Sequence, residues 1–521
     1  MKMKKFDVDV LVVGGGVAGV AAAISTARAG QRTLLLEKAT SLGGLVTNGY
    51  VTGIAGMIEG ICKEWLDRLD AEGDLYKRPH LPAIDPEKGK LMLEQMLLEA
   101  GARVLYGMYA VEVNVEEGHI SDVVCYSKSG RMEISAKIII DTTGDADIAF
   151  SAGVPFEVGS PEFGGLNMST TLAFRMSKVN MLKYQEAIDE WRASEAKKGA
   201  VPSKMSLYAE LQEKAVERGD LPFFIFPAAL IYPVPNTPLN EADITVMTTH
   251  SFYTRNTDVE DLTRQIIEQH QQIMWIEKFF RDYIPGFEEC RLANIANLHG
   301  VRDSRRIVGE YILKDEDVVC ARKFEDGIAR FPEFLDTHHP INPRLGFIRH
   351  VHLEDPKQPA VCRPAECSSD MHPFVKPGGY EARVNPREYC EIPYRALVPL
   401  KIDNLLVAGR CMSAEFHALA AVRVIATSMS TGQAAGIAAA LCLKEGILPR
   451  LLDGKLVRKT MIEQGIPLDK NLDDDDYWKA AKNLKGEYVV MPGDFAGILT
   501  SESASTYTHS ENYTEGKTAD K

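Results

Sequence analysis

The feature that most constrains this chain is Gly14-Gly15-Gly16-Val17-Ala18-Gly19, set between the apolar run Val8 to Val13 and the alanine-rich run Ala21 to Ala29. A Gly-x-Gly-x-x-Gly triplet alone says little. Between a strand and a helix, it prescribes a strand–turn–helix unit whose turn lets a phosphate approach the backbone. Gly30 supplies the helix stop, and Arg32 to Leu36 forms a second strand ending at Glu37, 23 residues after Gly14. Gly14 permits the tight turn, Gly16 removes the side chain where a pyrophosphate would lie, and Gly19 lets the helix sit close on the strand. The helix N-terminus offers amides and a positive dipole end to phosphate. Glu37 is placed for a ribose hydroxyl, with Val17, Ala18 and Lys38 beside these positions. The expected fold is α/β, with a Rossmann-type dinucleotide domain.

Three further elements favour FAD over NAD. The glycine-rich segment after Glu37 contains Gly43, Gly44 and Thr47. A buried strand, Lys137 to Asp141, runs into Thr142-Thr143-Gly144-Asp145. A third strand–glycine element, Leu405 to Gly409 followed by Arg410, lies about 250 residues further on. A chain that returns so late to its cofactor domain carries an inserted substrate domain. The expected organisation is a discontinuous FAD-binding domain in residues 1–155 and 396–450. An α+β substrate or cap domain is expected in 156–395, and a helical and polar tail in 451–521.

With these motifs in place, the sequence resembles the FAD-dependent oxidoreductases of the glutathione-reductase-like superfamily. The resemblance rests on LLLEKATSLGG, IIDTTGDADIA, GVRDSRRIVGEYIL, EIPYRALVP and NLLVAGRCMSA, among others, and covers most of the chain. It implies FAD and a Rossmann-type fold far more than a substrate; residues 41–50 contain no His or Cys for covalent attachment, so the expectation is non-covalent FAD exchanging a hydride with a small organic molecule, carboxylated or hydroxylated. The alternatives are a redox-neutral flavoenzyme, such as an isomerase or hydratase, and a flavin-binding sensor. Many relatives place Gly-Asp after the late strand, whereas this chain has Gly409-Arg410. The ribityl contact then falls to Arg410 or to another residue.

The run from Val424 to Leu443 reads as a long helix whose N-terminus would face the flavin. Gly432, Gly436 and Ala440 repeat at i, i+4 and i+8, which would lay it close against the sheet. Arg423-x4-Ser428-Met429 is similar to an Arg-x4-Ser-Leu pattern of fumarate-reductase-like flavoproteins, in which the arginine faces the substrate beside the flavin. A guanidinium offers a bidentate fork to a carboxylate, so Arg423 is a candidate for orienting substrate, against a structural ion pair. His417 suits proton transfer near neutral pH, against a purely structural role. On a helix, Arg302 would share a face with Arg305 or Arg306, and the cluster would bind an anionic substrate or the FAD pyrophosphate, against an ion-pair network. Tyr394 reads as packing rather than as a proton donor.

Among other chemistries, metal is not expected. His338, His339, His350, His352, Cys362, Cys367 and His372 crowd 35 residues, but their spacings match no ligand signature; a loop over the pocket fits better. No second Gly-x-Gly-x-x-Gly follows a strand, so the electron acceptor is expected to be oxygen, a quinone or a redox protein. The formal charge of −14 opposes broad nucleic-acid or anionic-membrane binding. No run reaches the length of a membrane span, and Asp7 and Asp9 break the N-terminal apolar stretch. The nine cysteines are sparse for a disulfide scaffold. These readings favour a cytoplasmic protein and leave a homo-oligomer open.

Overall fold

The computed structural model describes residues 4–77, 81–197, 204–226, 229–319, 321–331, 336–343, 347–348 and 389–471. Its centre is a seven-stranded sheet. Five strands run parallel: Arg103–Tyr106, Thr33–Glu37, Lys4–Val13, Gly130–Asp141 and Leu405–Val407. The first half of Gly130–Asp141 also pairs antiparallel with His119–Ser127, which continues into Tyr109–Glu116. The strand expected over Lys137 to Asp141 thus begins earlier, at Gly130. It pairs with the first strand from Lys4 onward, so that strand begins earlier than its apolar run.

The parallel strands are apolar on both faces, as a sheet covered on both sides requires. Val10, Val12, Leu35, Ile138, Ile140 and Leu406 enter one core. Leu11, Val13, Leu34, Leu36, Ile139 and Val407 enter the other. Helix Val17–Arg28 covers the first face together with Gly60–Glu72, Pro86–Glu99 and the buried helix Ile425–Glu445.

Between the early and late parts lies a second sheet, antiparallel, in the order Leu230–Pro233, Ala242–Met247, Phe174–Val179, Arg291–Ile295. Its own core contains Phe174, Met176, Ile244, Val246, Ile273, Ile276 and Phe280. The last three come from helix Val259–Tyr283, whose start Asp258 caps by accepting from the amides of Glu260 and Asp261. The segment after Glu37 ties the two parts together: Thr52 Oγ1 meets Thr245 Oγ1 at 2.7 Å, and Asn48 O accepts from Asn297 N at 3.0 Å. Leu230–Pro233 is an edge strand of this sheet despite the prolines that follow it.

Among the described residues, no single helix is long and apolar enough to cross a membrane. Helices Phe416–Val422 and Ile425–Glu445 are apolar together, but they meet at 95° and are buried.

Candidate cofactor and substrate site

The turns that follow four of the parallel strands gather at one edge of the sheet, since Val13 is in register with Leu36 and with Asp141, and Asp141 with Val407. This carboxyl edge is where open α/β sheets bind ligands. Gly14 has φ +103°, and a Cβ there would stand 2.5 Å from Thr142 O; at Gly19 it would stand 1.8 Å from Gly14 O. Gly16 differs. A Cβ built there meets no described atom within 4 Å. The helix that starts beside it has no side-chain cap and no acidic residue in its first turn. Among the described residues, nothing accepts from the amides of Ala18 and Gly19. Open space over a glycine, faced by free amides, is the shape and polarity a pyrophosphate needs.

The other early candidates surround this turn. The Glu37 carboxylate accepts from Gly15 N and from Ala39 N, each at 2.6 Å, which fixes it at the end of its strand. Lys38 is exposed next to it. Gly43 donates to Gly15 O at 2.8 Å, and Gly44 lies against the Gly16 backbone. The Thr47 hydroxyl is buried and turned back on Leu42 O.

At the second turn, buried Asp141 accepts from Thr143 N and Oγ1, Ile148 N and Ala149 N. Burial nonetheless pushes its carboxyl up to about 6. Thr142 Oγ1 donates to Gly14 O at 2.8 Å, locking this turn to the first. Asp145 pairs with Arg410 at 2.9 Å and accepts from Ser304 Oγ at 2.6 Å. Burial opposes its ionisation, but Arg410 and Ser304 outweigh it and the carboxyl titrates low. The Arg410 guanidinium spreads over Gly144, where a Cβ would stand 2.8 Å from Nη2. The arginine after Gly409 therefore bridges the second and third turns.

The late helix runs parallel to the first. A Cβ at Gly432 would lie 2.0 Å from Ala18 O, and one at Gly436 2.5 Å from Ala22 O. The glycine stripe thus seats on the first helix, not on the sheet, because Gly436 and Gly432 follow the rise of Ala22 and Ala18. Ile425 sits seven residues before Gly432, so the mouth of the late helix projects about 10 Å beyond that contact at 1.5 Å per residue. That mouth has no side-chain cap and no acidic first turn. Gly409 N donates to Thr431 Oγ1 at 3.1 Å. Ser428 Oγ donates to Arg423 O, and Met429 is buried in the core.

A polar cluster adjoins this mouth. Arg423 donates to Asp336 O at 2.8 Å and to Asp336 Oδ2 at 2.9 Å. His338 Nε2 lies 3.5 Å from Asp336 Oδ1. Burial opposes ionisation of Asp336, but His338 and Arg423 outweigh it and hold the carboxyl below its usual range. Burial, reinforced by Arg302, pushes His338 down to about 3, so it is neutral at pH 7. Arg302 donates to Ser169 O, to Thr171 Oγ1 at 2.8 Å and to His250 Nε2 at 3.3 Å. Burial and then the Arg423 charge lower Arg302 to about 9, which leaves it charged at neutral pH.

His250 is stacked on Phe226 with centroids 3.5 Å apart. Its Nδ1 lies 3.2 Å from Thr248 O, so Nδ1 carries the proton and Nε2 accepts. Behind it, Gln272 reads the His250 backbone at both N and O, and Gln269 Oε1 lies 3.0 Å from His299 Nε2. His417, in helix Phe416–Val422, contacts Thr337 Oγ1 through Nδ1 at 3.1 Å.

One expectation requires revision here. Arg302, Arg305 and Arg306 do not share a helical face. The chain at 301–304 is irregular and Arg305–Ile307 is a strand, because it pairs with Phe156–Val158. Arg305 binds Asp147, and buried Arg306 binds Ala414 O and Gly159 O. Tyr394 is buried and donates to Pro449 O, a packing role. Of the histidine- and cysteine-rich run, His338 and His339 are buried; His350, His352, Cys362, Cys367 and His372 lie outside the described residues. Asp336, Thr171, His250 and the buried glutamines carry no spacing signal toward Arg302 or Arg423. The nearest to one is Gln265, Gln269 and Gln272, which repeat along one helix face.

A parallel sheet with its glycine turns, helix mouth and inserted antiparallel sheet defines a Rossmann-type flavoprotein. The chain belongs to the FAD dependent oxidoreductase family, whose model matches residues 9–461, and its cofactor is FAD. It is 32% identical over 163 residues to the thiamine thiazole synthase of Methanococcus aeolicus, covering 29% of this chain and 60% of that enzyme. It is 30% identical over 152 residues to the tRNA uridine 5-carboxymethylaminomethyl modification enzyme of Wolinella succinogenes, covering 26% of this chain and 24% of that one. The chain thus spans less than two thirds of either relative. Among solved structures, a geranylgeranyl bacteriochlorophyll reductase-like protein of Thermoplasma acidophilum aligns over 96% of this chain and 90% of its own, at 12% identity and a TM-score of 0.43.

Proposed function

We propose that this enzyme exchanges a hydride between non-covalently bound FAD and a small carboxylated organic molecule. In this reading the Gly14 to Gly19 turn and the amides of Ala18 and Gly19 hold the pyrophosphate. Glu37, Lys38, Gly43, Gly44 and Thr47 form the ribose side. Thr143, Gly144, Asp145, Gly409, Arg410, Ser428 and Met429 form the walls toward the late helix. When bound, FAD supplies the two-electron carrier. Arg423 and Arg302 orient the substrate carboxylate, and His417 takes or gives the proton at the reacting carbon or oxygen. The oxidant or reductant that completes the cycle is oxygen, a quinone or a redox protein.

The observation that carries this reading is the convergence of Arg302 and Arg423, distant in sequence, beside the mouth of the late helix. With Asp336 paired to Arg423, the two guanidiniums leave an excess of positive charge in a partly buried site, which calls for an anion. Anaerobic mixing of the yellow protein with a panel of small carboxylic acids and their methyl esters tests it. At least one acid is expected to bleach the flavin in the visible while its ester does not. Bleaching by the ester alone, or turnover that needs no electron acceptor, contradicts the reading.

A further inference from the structure

Among the described residues, the arginines around this site are matched by carboxylates in all cases but one. Arg410 has Asp145, Arg305 has Asp147 and Arg423 has Asp336. Arg306 lies 3.9 Å from buried Asp303 and 3.5 Å from the exposed Glu157. Arg302 has no carboxylate within 4 Å among the described residues. Its three acceptors are a carbonyl, a hydroxyl and the lone pair of a neutral imidazole. None of them offsets its charge.

The groups that face Arg302 can be counted. Arg423 and Asp336 cancel, and so do Arg306 and Asp303. Burial keeps His250, His299 and His338 neutral at pH 7. Exposed Glu157, beside Arg306, is screened by solvent, and among the described residues one positive charge remains. A guanidinium has five N–H donors, and the protein takes three of those on Arg302. Arg302, Arg423 and Asp336 keep some exposure, whereas Ser169, Thr171, His250 and His338 are buried. The residual charge therefore faces the accessible side of the cluster.

We propose that this cluster selects a substrate with a single negative charge, its one carboxylate taken by the free donors of Arg302 while Asp336 keeps Arg423 from recruiting a second. This deepens the reading above and rests on it. Arg302 becomes the specificity determinant, and Asp336 sets the number of charges accepted. Asp336→Asn raises the count to two without changing the outline of the side chain.

The test is calorimetric titration of the FAD-loaded protein at pH 7 with propionate and with succinate, which differ by one carboxylate. Propionate is expected to bind about tenfold tighter, a difference of ~1.4 kcal/mol. In Asp336→Asn the order is expected to reverse, and in Arg302→Met propionate binding is expected to be lost with the flavin spectrum intact. Tighter binding of succinate by the wild-type protein overturns the single-charge proposal and leaves the carboxylate reading standing. Binding of neither anion removes both, because the cluster would not then be an anion site. An unchanged order in an Asp336→Asn protein that retains its flavin also overturns the proposal. If that variant loses FAD, the wild-type order alone decides.

Discussion

Two glycines only three residues apart should fail in opposite ways when given a methyl group. At Gly16 the backbone is already in a conformation open to alanine, with φ −64° and ψ 176°, and the added carbon meets no described atom within 4 Å. Gly16→Ala should leave the FAD-free protein within ~0.5 kcal/mol of wild type, as at an unconstrained position. At Gly19 the same carbon would stand 1.8 Å from Gly14 O. Ordinary contact needs about 3.4 Å, so the helix start must retreat by roughly 1.6 Å against backbone that cannot rotate away. Overpacking of this kind costs about 1–3 kcal/mol, and Gly19→Ala should lose at least the upper end of that range.

Affinity for FAD should separate the pair again. A methyl over Gly16 fills the space open to a pyrophosphate and forfeits one charged hydrogen bond, worth ~1.5–3 kcal/mol. FAD should therefore bind about 10- to 100-fold more weakly. Urea unfolding of FAD-stripped protein gives the first quantity, and titration by quenching of FAD fluorescence gives the second. Wild-type FAD affinity in a folded Gly16→Ala protein would refute the placement of the pyrophosphate. Destabilisation of the stripped Gly16→Ala protein to the level of Gly19→Ala would refute the open space over Gly16.

Other variants probe the surroundings. Arg410→Met leaves the Asp145 carboxylate with Ser304 as its remaining side-chain partner; a loss of ~2–3 kcal/mol in urea unfolding and weaker FAD retention are expected, and unchanged values would show that the bridge between the turns is idle. His299 titrates at about 4 when folded, because burial and Arg302 disfavour its charged form, and near 6.5 when unfolded. The unfolded chain thus takes up the proton first, and this group's contribution is lost as the pH falls from about 6.5 to 4. The stability advantage of wild type over His299→Gln should shrink by up to ~3 kcal/mol across that window, and a constant difference would contradict the assignment. Tyr394→Phe removes the hydrogen bond to Pro449 O; it should cost ~1 kcal/mol in urea unfolding and leave kcat unchanged, whereas a large fall in kcat would make Tyr394 a proton donor.

The cofactor side of the site was legible because its signals are local. Gly14, Gly16, Gly19 and Glu37 lie in one strand–turn–helix–strand unit, where spacing along the chain is spacing in the fold. Asp141 and Gly409 were readable for the same reason, each at the end of a short apolar run. The stripe Gly432–Gly436 was readable as a close-packing face, but not its partner, since a helix and a sheet both accept small residues. The substrate side was not legible in this way. Arg423 and Asp336 are 87 residues apart and Arg302 and Ser169 are 133 apart, so only tertiary pairing joins them. The arginines 302, 305 and 306 looked helical from their spacing. Pairing of Arg305–Ile307 with Phe156–Val158 overrides that periodicity and sends the three side chains to different partners.

The most direct test of the central claim is a crystal structure of the FAD-loaded protein. The account predicts phosphate oxygens about 3 Å from the amides of Ala18 and Gly19, with the flavin ring at the mouth of helix Ile425–Glu445 on the side of Arg423 and Arg302. A pyrophosphate bound away from Gly16, or a ring directed away from Arg423, would contradict it.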